Sequence, residues 1–396
     1  MIEYISYIIV IFTFFVLLAY LYTKYTYGFW MDLPVFHEYD WKYKLWSPGI
    51  INHTLPEKDK YTNFKNVQTR VYSELSDYSI QQFIHFIKLN NAGSYHAFMP
   101  KVDNITPYFT GHNSKTFITF YKQDILLIDK HQNSPIRDSK IIGTITSRPI
   151  NIRINNGDAD AAFSAYYIDH ICFKIENNAI LPELLKTHIY NQCHINHKIG
   201  VNIFRQHGQL FAGIVPLCKY KIYEFSVDKW TKPMNVDSTY NIVDINSQNI
   251  YLLYEFIKEN SGKFDIVMNS DVSNLVELIK SKNMFIYMVV NHDVIICAYF
   301  FKKTRLFKNT ELEILSLIGS IQNCNNEVFV HAFKICFWKI AADNYMGYAM
   351  LENVSHNNII IDNLCLKTKP LQITDTAYYF YNFIYNSFQS NKVFIL

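Results

Sequence analysis

The sequence predicts an α/β chain of two related halves carried behind one N-terminal membrane helix. Three observations lead there. An uncharged apolar run opens the chain, strand-like and helix-like periods then alternate, and a polar stretch from Asp228 to Ser238 splits the alternation into two rounds. At 396 residues, 49% of them hydrophobic, the chain exceeds a typical single core and can bury a large one.

The opening run, Ile5 to Tyr22 (ISYIIVIFTFFVLLAYLY), nearly spans a hydrocarbon core of about 30 Å. Tyr4, Tyr20, Tyr22 and Tyr25 suit interfacial belts. A cleaved signal would want a basic n-region, a shorter apolar run and a small-residue cleavage site, and none is present. Residues 1–26 are therefore expected to act as a retained single-pass anchor. Lys24, Lys42 and Lys44 follow the span and no Lys or Arg precedes it, which places the body on the cytoplasmic side.

From Tyr27 to about Asn66 the chain is aromatic, with prolines and little periodicity. Helical spacing returns at Tyr78–Leu89, and Asn90–Ser114 reads as loop. Strands are expected at Thr116–Tyr121, Ile125–Ile128 and Lys140–Ile154. The central stretch follows, YYIDHICFKIENNAILP, from Tyr166 to Pro182. Its aromatic and β-branched first part reads as a strand, Glu176-Asn177-Asn178 as a turn, and Leu181, Leu184, Leu185 and Ile189 as a helix face. Pro182 suits the first helical position and Glu183 the positive end of the helix dipole. A strand feeding a helix N-terminus can aim backbone N–H groups at an anion. Strands at Val201–Phe204 and around Tyr220–Phe225 close the first round. The second holds helices Ser247–Glu259 and Val272–Lys282, then strands Phe285–Val290, Val294–Phe301 and Leu312–Ile321. Helix Val328–Ala342 and a last strand pair end it.

A net charge of +3 with no Lys/Arg stripe argues against nucleic acid as a partner. Seven scattered cysteines fit a reducing compartment rather than a disulfide framework. The Tyr, Phe, Asn, Ile and Lys bias resembles the product of an AT-rich genome.

Five stretches, in order, carry a family resemblance. Tyr27-Gly28-Phe29-Trp30-Met31-Asp32-Leu33-Pro34-Val35 is similar to Y-K-F-W-x-T-Q-P-V, and His53-Thr54-Leu55-Pro56 to Y-x-L-P. Lys140-Ile141-Ile142-Gly143-Thr144-Ile145 with Pro149-Ile150-Asn151-Ile152 is similar to K-L-V-G-F-I-S-A-x-P-x-x-I. Ile168-Asp169-His170-Ile171-Cys172-Phe173 falls on I-N-F-L-C-V, and Tyr378-Tyr379-Phe380-Tyr381-Asn382-Phe383 on Y-Y-L-Y-N-W. Together they resemble the eukaryotic N-myristoyltransferases, two fused acetyltransferase-like (GNAT) halves. The anchor, composition and eroded motifs would suit a divergent member from a large DNA virus.

The resemblance implies two tandem GNAT-like lobes, residues 27–241 binding acyl-CoA and residues 242–396 binding peptide. It implies transfer of a myristoyl group from myristoyl-CoA to the N-terminal glycine of proteins, with no permanent cofactor and no metal. The oxyanion hole would be the backbone N–H groups of His170 and Ile171, and the base the α-carboxylate of Leu396. A carboxylate with an ordinary pKa of about 3.5 is a weak base unless desolvated, so the mechanism requires a buried Leu396. Acyl-CoA contacts would fall on Tyr27, Phe29, Trp30, Phe173, Lys174, Asn178, Ala179 and Pro182.

The chain departs from that pattern where phosphate and peptide are held. The family's basic R-S-K-R cradle becomes Glu176-Asn177-Asn178-Ala179, Gly28 replaces a lysine, and the acidic loop falls on Asn90–Ala97, which has no carboxylate. G-D-G becomes Thr374-Asp375-Thr376, and W-H-R becomes Lys221-Ile222-Tyr223. Two functions from different classes follow: an active transferase, or an inactive transferase fold kept as a structural or peptide-binding membrane protein. Other chemistry is weaker. His188, Cys193, His194 and His197 have permissive metal spacing but no completing ligand cluster. Cys172 beside His170 reads as a buried, inert thiol.

Overall fold

A computed structural model describes residues 2–41, 49–91, 96–128, 135–155, 161–174, 180–228, 230–234, 239–308 and 312–396. The first helix, α1 (Ile2–Tyr27), contains a 23-residue span, Tyr4–Thr26, of mean hydropathy 2.4 that buries nothing inside the protein. It is long and apolar enough to cross a membrane. It stops at Gly28, whose φ of +49° is the left-handed conformation that ends helices and that side chains disfavour. The departure from a lysine at this position thus has a local cause.

Beyond a 3₁₀ turn at Gly28–Asp32 come β1 (Gly49–Ile50), β2 (Val67–Val71), α2 (Asp77–Asn90), β3 (Ala97–Phe98) and α3 (Val102–Ile105). Then follow β4 (Phe117–Ile128), β5 (Pro135–Ile154), β6 (Ala161–Phe173), α4 (Ile180–Ile195), β7 (Asn202–His207) and β8 (Cys218–Ser226). The second half holds β9 (Tyr240–Asp244), α5 (Ile250–Asn260), β10 (Ile266–Asn269), α6 (Val272–Lys280), β11 (Met284–Asn291), β12 (Val294–Phe307) and β13 (Glu313–Gln322). It closes with α7 (Asn326–Asn344), β14 (Met346–Glu352), α8 (Asn357–Lys367), β15 (Gln372–Tyr381), β16 (Phe383–Ile384) and β17 (Val393–Ile395).

The fold is mixed α/β around one large sheet. Strands of both halves are hydrogen-bonded neighbours in the order β17-β10-β5-β6-β7-β15-β8-β14-β13-β12-β11-β9. Two joints knit the halves. β5 pairs with β4 up to Ser147 and with β10 from Asn151 on. Pro149, which has no N–H to donate, sits at that changeover. β15, from the end of the chain, inserts between β7 and β8.

Helices cover the sheet where apolar faces demand it. The core of the second half packs Phe329, Phe333, Phe337 and Ile340 of α7 onto Tyr299 and Phe301 of β12. In the first half, Leu184, Leu185 and Ile189 of α4 cover Ile142 and Ile145 of β5. Gly143 permits the approach, because a Cβ there would lie 3.3 Å from Leu184.

Several expectations are corrected. The segment from Asn90 to Ser114 is not only loop, since it carries β3, α3 and a 3₁₀ turn at Thr106–Phe109. Thr116–Tyr121 and Ile125–Ile128 are one strand, kinked by a bulge at Tyr121/Lys122. The chain does not close on a strand pair alone, because α8 lies between β14 and β15. Pro182 is the third residue of α4, not the first, still within the turn whose N–H groups lack helical partners.

Candidate active site

The central stretch builds a wedge. β6 and β7 are parallel partners only from Tyr166 to Ile168, after which their pairing ends. On its other side β6 pairs Asp169 with Thr146 and Cys172 with Thr144, so His170 and Ile171 both face Ile145. This is a β-bulge, and His170 holds its extra residue with φ +49°. A bulge turns backbone N–H groups out of the ladder, and the sequence-predicted amides of His170 and Ile171 lie on it. The His170 amide is not idle: it donates to the Asp169 carboxylate at 2.9 Å. The His170 ring is half-buried, stacked on Phe98 with centroids 6.5 Å apart and edge-on to Phe83 at 5.9 Å. Burial holds its pKa below the usual histidine value, against the pull of Asp169. Burial also raises that of Asp169, but His170, Lys302 and Arg148 together pull it well below the usual carboxylate range.

The last strand brings Leu396 inside. β17 runs parallel to β10, pairing Val393 with Ile266 and Ile395 with Met268. The Leu396 N–H continues the ladder, donating to the Met268 carbonyl at 2.8 Å. Phe394 is fully buried, its ring 5.4 Å from Phe264 and 5.1 Å from Phe300. Leu396 is 8% exposed and lines a partly open cavity of about 60 Å³.

That cavity holds the residues that the sequence reading missed. Arg148 of β5, Arg205 of β7 and Lys302 of β12 line it, with Glu352 at the end of β14. Arg205 pairs with Glu352 at 3.0 Å, and the Tyr220 hydroxyl donates to the other Glu352 oxygen, also at 3.0 Å. The Arg148 guanidinium lies over the rings of Tyr167 at 4.9 Å and Tyr108 at 5.5 Å, and Lys302 lies 4.9 Å from the centre of the same Tyr108 ring. Burial lowers the Lys302 pKa to about 8; Asp169 opposes that fall, and Arg205 and Arg148 reinforce it. No local motif could have announced these groups, because they come from four strands spread over some two hundred residues.

The expected acyl-CoA contacts divide. Phe29 and Trp30, half-buried, join an aromatic cluster, Phe29 lying 5.1 Å from Tyr61 and Trp30 4.3 Å from Phe211 and 6.0 Å from Phe204. Phe173 pairs with Gly143 at the open end of the wedge, and the Lys174 N–H donates to the Ile142 carbonyl at 3.1 Å. Pro182 lies beside Glu183 in the first turn of α4. Glu183 accepts from Asn63 at 2.6 Å and Tyr121 at 2.8 Å, which fastens the preceding segment to the helix start. Asn178, Ala179 and the turn around them lie outside the described residues, as does the side chain of Tyr27. The remaining histidines and thiols point elsewhere. His188 shares a hydrogen bond with Thr119 at 2.7 Å and His194 with the Tyr190 carbonyl at 2.8 Å. Burial, then the Asp169 charge, pushes the Cys172 thiol up to about 12, the opposite of an activated nucleophile.

No protein-family model and no curated protein sequence matches the chain. Solved structures do. The Saccharomyces cerevisiae N-myristoyltransferase with bound myristoyl-CoA superposes with a TM-score of 0.69 at 12% identity, over 92% of this chain and 94% of that one. A structure of the same yeast enzyme with bound myristoyl-CoA and inhibitors gives 0.69 at 13% identity, over 92% of each chain. At such identity the likeness establishes the fold.

Proposed function

We propose that this chain is an acyl-CoA-dependent N-acyltransferase, a divergent viral relative of the N-myristoyltransferases held on a membrane by α1 with its body on the cytoplasmic side. In this reading residues 27–241 bind myristoyl-CoA and residues 242–396 take the acceptor, an N-terminal glycine. The observation that carries it is the placing of Leu396 at 8% exposure beside a cavity walled by strands of both halves. The yeast enzyme of the same fold holds myristoyl-CoA, which supports the choice of donor.

The chemistry is the one that the family resemblance implies. The Leu396 carboxylate takes one proton from the glycine ammonium. The amine attacks the thioester carbonyl, and the oxyanion is met by the N–H groups of the bulge. As the intermediate collapses, the C–S bond breaks, the C–N bond remains, and the departing CoA thiolate takes the second proton. Tyr27, Phe29, Trp30, Phe173, Lys174, Asn178, Ala179 and Pro182 would hold the donor.

One observation favours the second reading, a binding protein on a transferase fold: Asp169 already occupies the His170 amide. Titration of the full chain in detergent with myristoyl-CoA separates the two. Saturable binding followed by acylation of a glycyl peptide supports the transferase, and absence of binding at tens of micromolar favours the inactive fold. Two residues added after Leu396 are expected to abolish transfer while sparing donor binding. Unchanged turnover in that variant would remove the terminal carboxylate as base.

A further inference from the structure

Two thiols of the second half meet where β13 turns into α7. Cys297 of β12 pairs with Gln322, and the Asn323 N–H carries the ladder one step further, donating to the Ile296 carbonyl at 2.7 Å. Cys324 comes next, and its side chain packs against the same apolar cluster that holds Cys297. There the two thiols share a hydrogen bond.

Their surroundings differ. Cys297 is fully buried, with the Tyr299 hydroxyl 3.4 Å from its sulfur, and that hydroxyl donates to the Phe329 carbonyl. Cys324 is only partly buried, so a small solute can reach it. The hydrogen bond from Cys297 holds the Cys324 thiol below its usual pKa, against burial and with help from its own backbone N–H. Burial pushes the Cys297 thiol well above its usual value, and the Cys324 contact adds to the rise. An accessible thiol with a stabilised thiolate, touching a second thiol, is suited to reversible oxidation. Cys365 of α8 is the more exposed thiol, yet partial burial and then the Asp362 charge raise its pKa. Exposure alone would make Cys365 the first to oxidise.

We propose that Cys324 is a peroxide-reactive thiol and that Cys297 resolves it, closing a reversible disulfide between β12 and the turn into α7. The Cys324 thiolate attacks a peroxide oxygen; an S–O bond forms, the O–O bond breaks, and the departing hydroxide takes up the thiol's proton as water. The Cys297 sulfur then attacks the sulfenic sulfur. The S–S bond forms as the S–O bond breaks, and the second hydroxide leaves as water with the Cys297 proton. Two thiols are oxidised, one hydrogen peroxide is reduced to two waters, and a dithiol restores the pair. Transient bridges of this kind are the ones a reducing compartment allows. Asn325 caps α7 by accepting the Val328 N–H at 2.8 Å, so the bridge would pin the start of that helix to the sheet. The inference is independent of the transferase reading, since neither thiol lines the cavity beside Leu396.

The test exposes the full chain in detergent to hydrogen peroxide, with or without dimedone, and maps each thiol by mass spectrometry of its peptides. Without dimedone, a bridge joining Cys297 to Cys324 should appear, lighter by two hydrogens and removed by dithiothreitol. The melting temperature should rise by a few degrees as it forms. In Cys297→Ser, dimedone should collect on Cys324 several-fold faster than on Cys365. Cys324→Ser should prevent the bridge and leave the melting temperature of the reduced protein little changed. Inertness of Cys324, oxidation of Cys365 ahead of it, or a bridge from Cys297 to Cys336 overturns the proposal. So does a bridge between copies, or a wild-type Cys324 that stays a sulfenic acid. Should Cys297→Ser not fold, the wild-type time course decides: Cys324 must be lost before Cys365, with the bridge accumulating in step.

Discussion

Asp169 Oδ1 accepts the backbone N–H of its own neighbour, His170, at 2.9 Å, on the bulge beside the wedge between β6 and β7. The Thr146 hydroxyl fixes the turn of chain by donating to the Asp169 carbonyl at 2.9 Å. A negative charge therefore sits where the proposed reaction develops one.

Replacing Asp169 by Asn should speed the chemical step. The amide would be shared with a neutral, weaker acceptor, and the opposing charge would be gone. Since a single oxyanion donor is worth roughly a hundredfold or more, a gain of about tenfold in single-turnover acylation is expected. A fall in rate would instead make Asp169 a supporting residue for Lys302 and Arg148.

Phe394→Ala should loosen the terminal strand. The ring is fully buried against Phe264 and Phe300, and such truncations cost about 3–5 kcal/mol. A lowered melting temperature, with acylation lost before global unfolding, is the expected pattern. Retained full activity would show that Leu396 need not stay anchored.

His188 should make the protein acid-sensitive. It is fully buried, and burial lowers its pKa from 6.5 to about 3. The unfolded chain therefore binds a proton that the folded chain refuses as pH falls below 6.5, and stability drains away down to about 3. The slope contributed is at most about 1.4 kcal/mol per pH unit. His188→Gln should flatten the pH dependence of denaturant midpoints across that window; an unaltered slope would assign the acid sensitivity elsewhere.

Lys302 acts in the same sense at higher pH. Its folded pKa of about 8 lies below its ordinary 10.5, so the cost of burying its charge is fully present below 8 and relieved as pH rises from 8 to 10.5. Lys302→Met should therefore stabilise the protein at pH 7 and lose that advantage by pH 10.5. Asp169 and Glu352 face the titrating group and favour its charged form, while Arg205 and Arg148 oppose it.

What could be read from the sequence was whatever is local. The strand through Tyr166–Phe173, the helix after it and the long strands of the second half announce themselves by period and composition. β10 does not, since four residues between a glycine-containing turn and a helix cap are too short for alternation to show. α8, NNIIIDNLCLK, opens with two asparagines and three β-branched residues that favour other structure, and tertiary burial of Ile360, Ile361 and Leu364 overrides them. β4 reads as two strands because Lys122-Gln123-Asp124 interrupts the apolar run at its bulge. For the site, His170 and Ile171 were singled out by the family resemblance alone, and the bulge they sit on has no signature in the run of residues around them. The cations were not, because each of Arg148, Arg205 and Lys302 looks like an ordinary polar position on its own strand and only the sheet order brings them together.

The left-handed stop at Gly28 has a bearing on where such a protein could work. α1 ends at Tyr27, and by Leu33 and Val35 the chain is already inside the core, so hardly any slack separates helix from body. A domain mounted so tightly in a lipid bilayer would patrol only the thin layer of water next to it, as a stationary tool meets only the work brought to the bench. Soluble clients would have to come to that surface, and any freshly acylated product would be released within reach of the lipid it prefers.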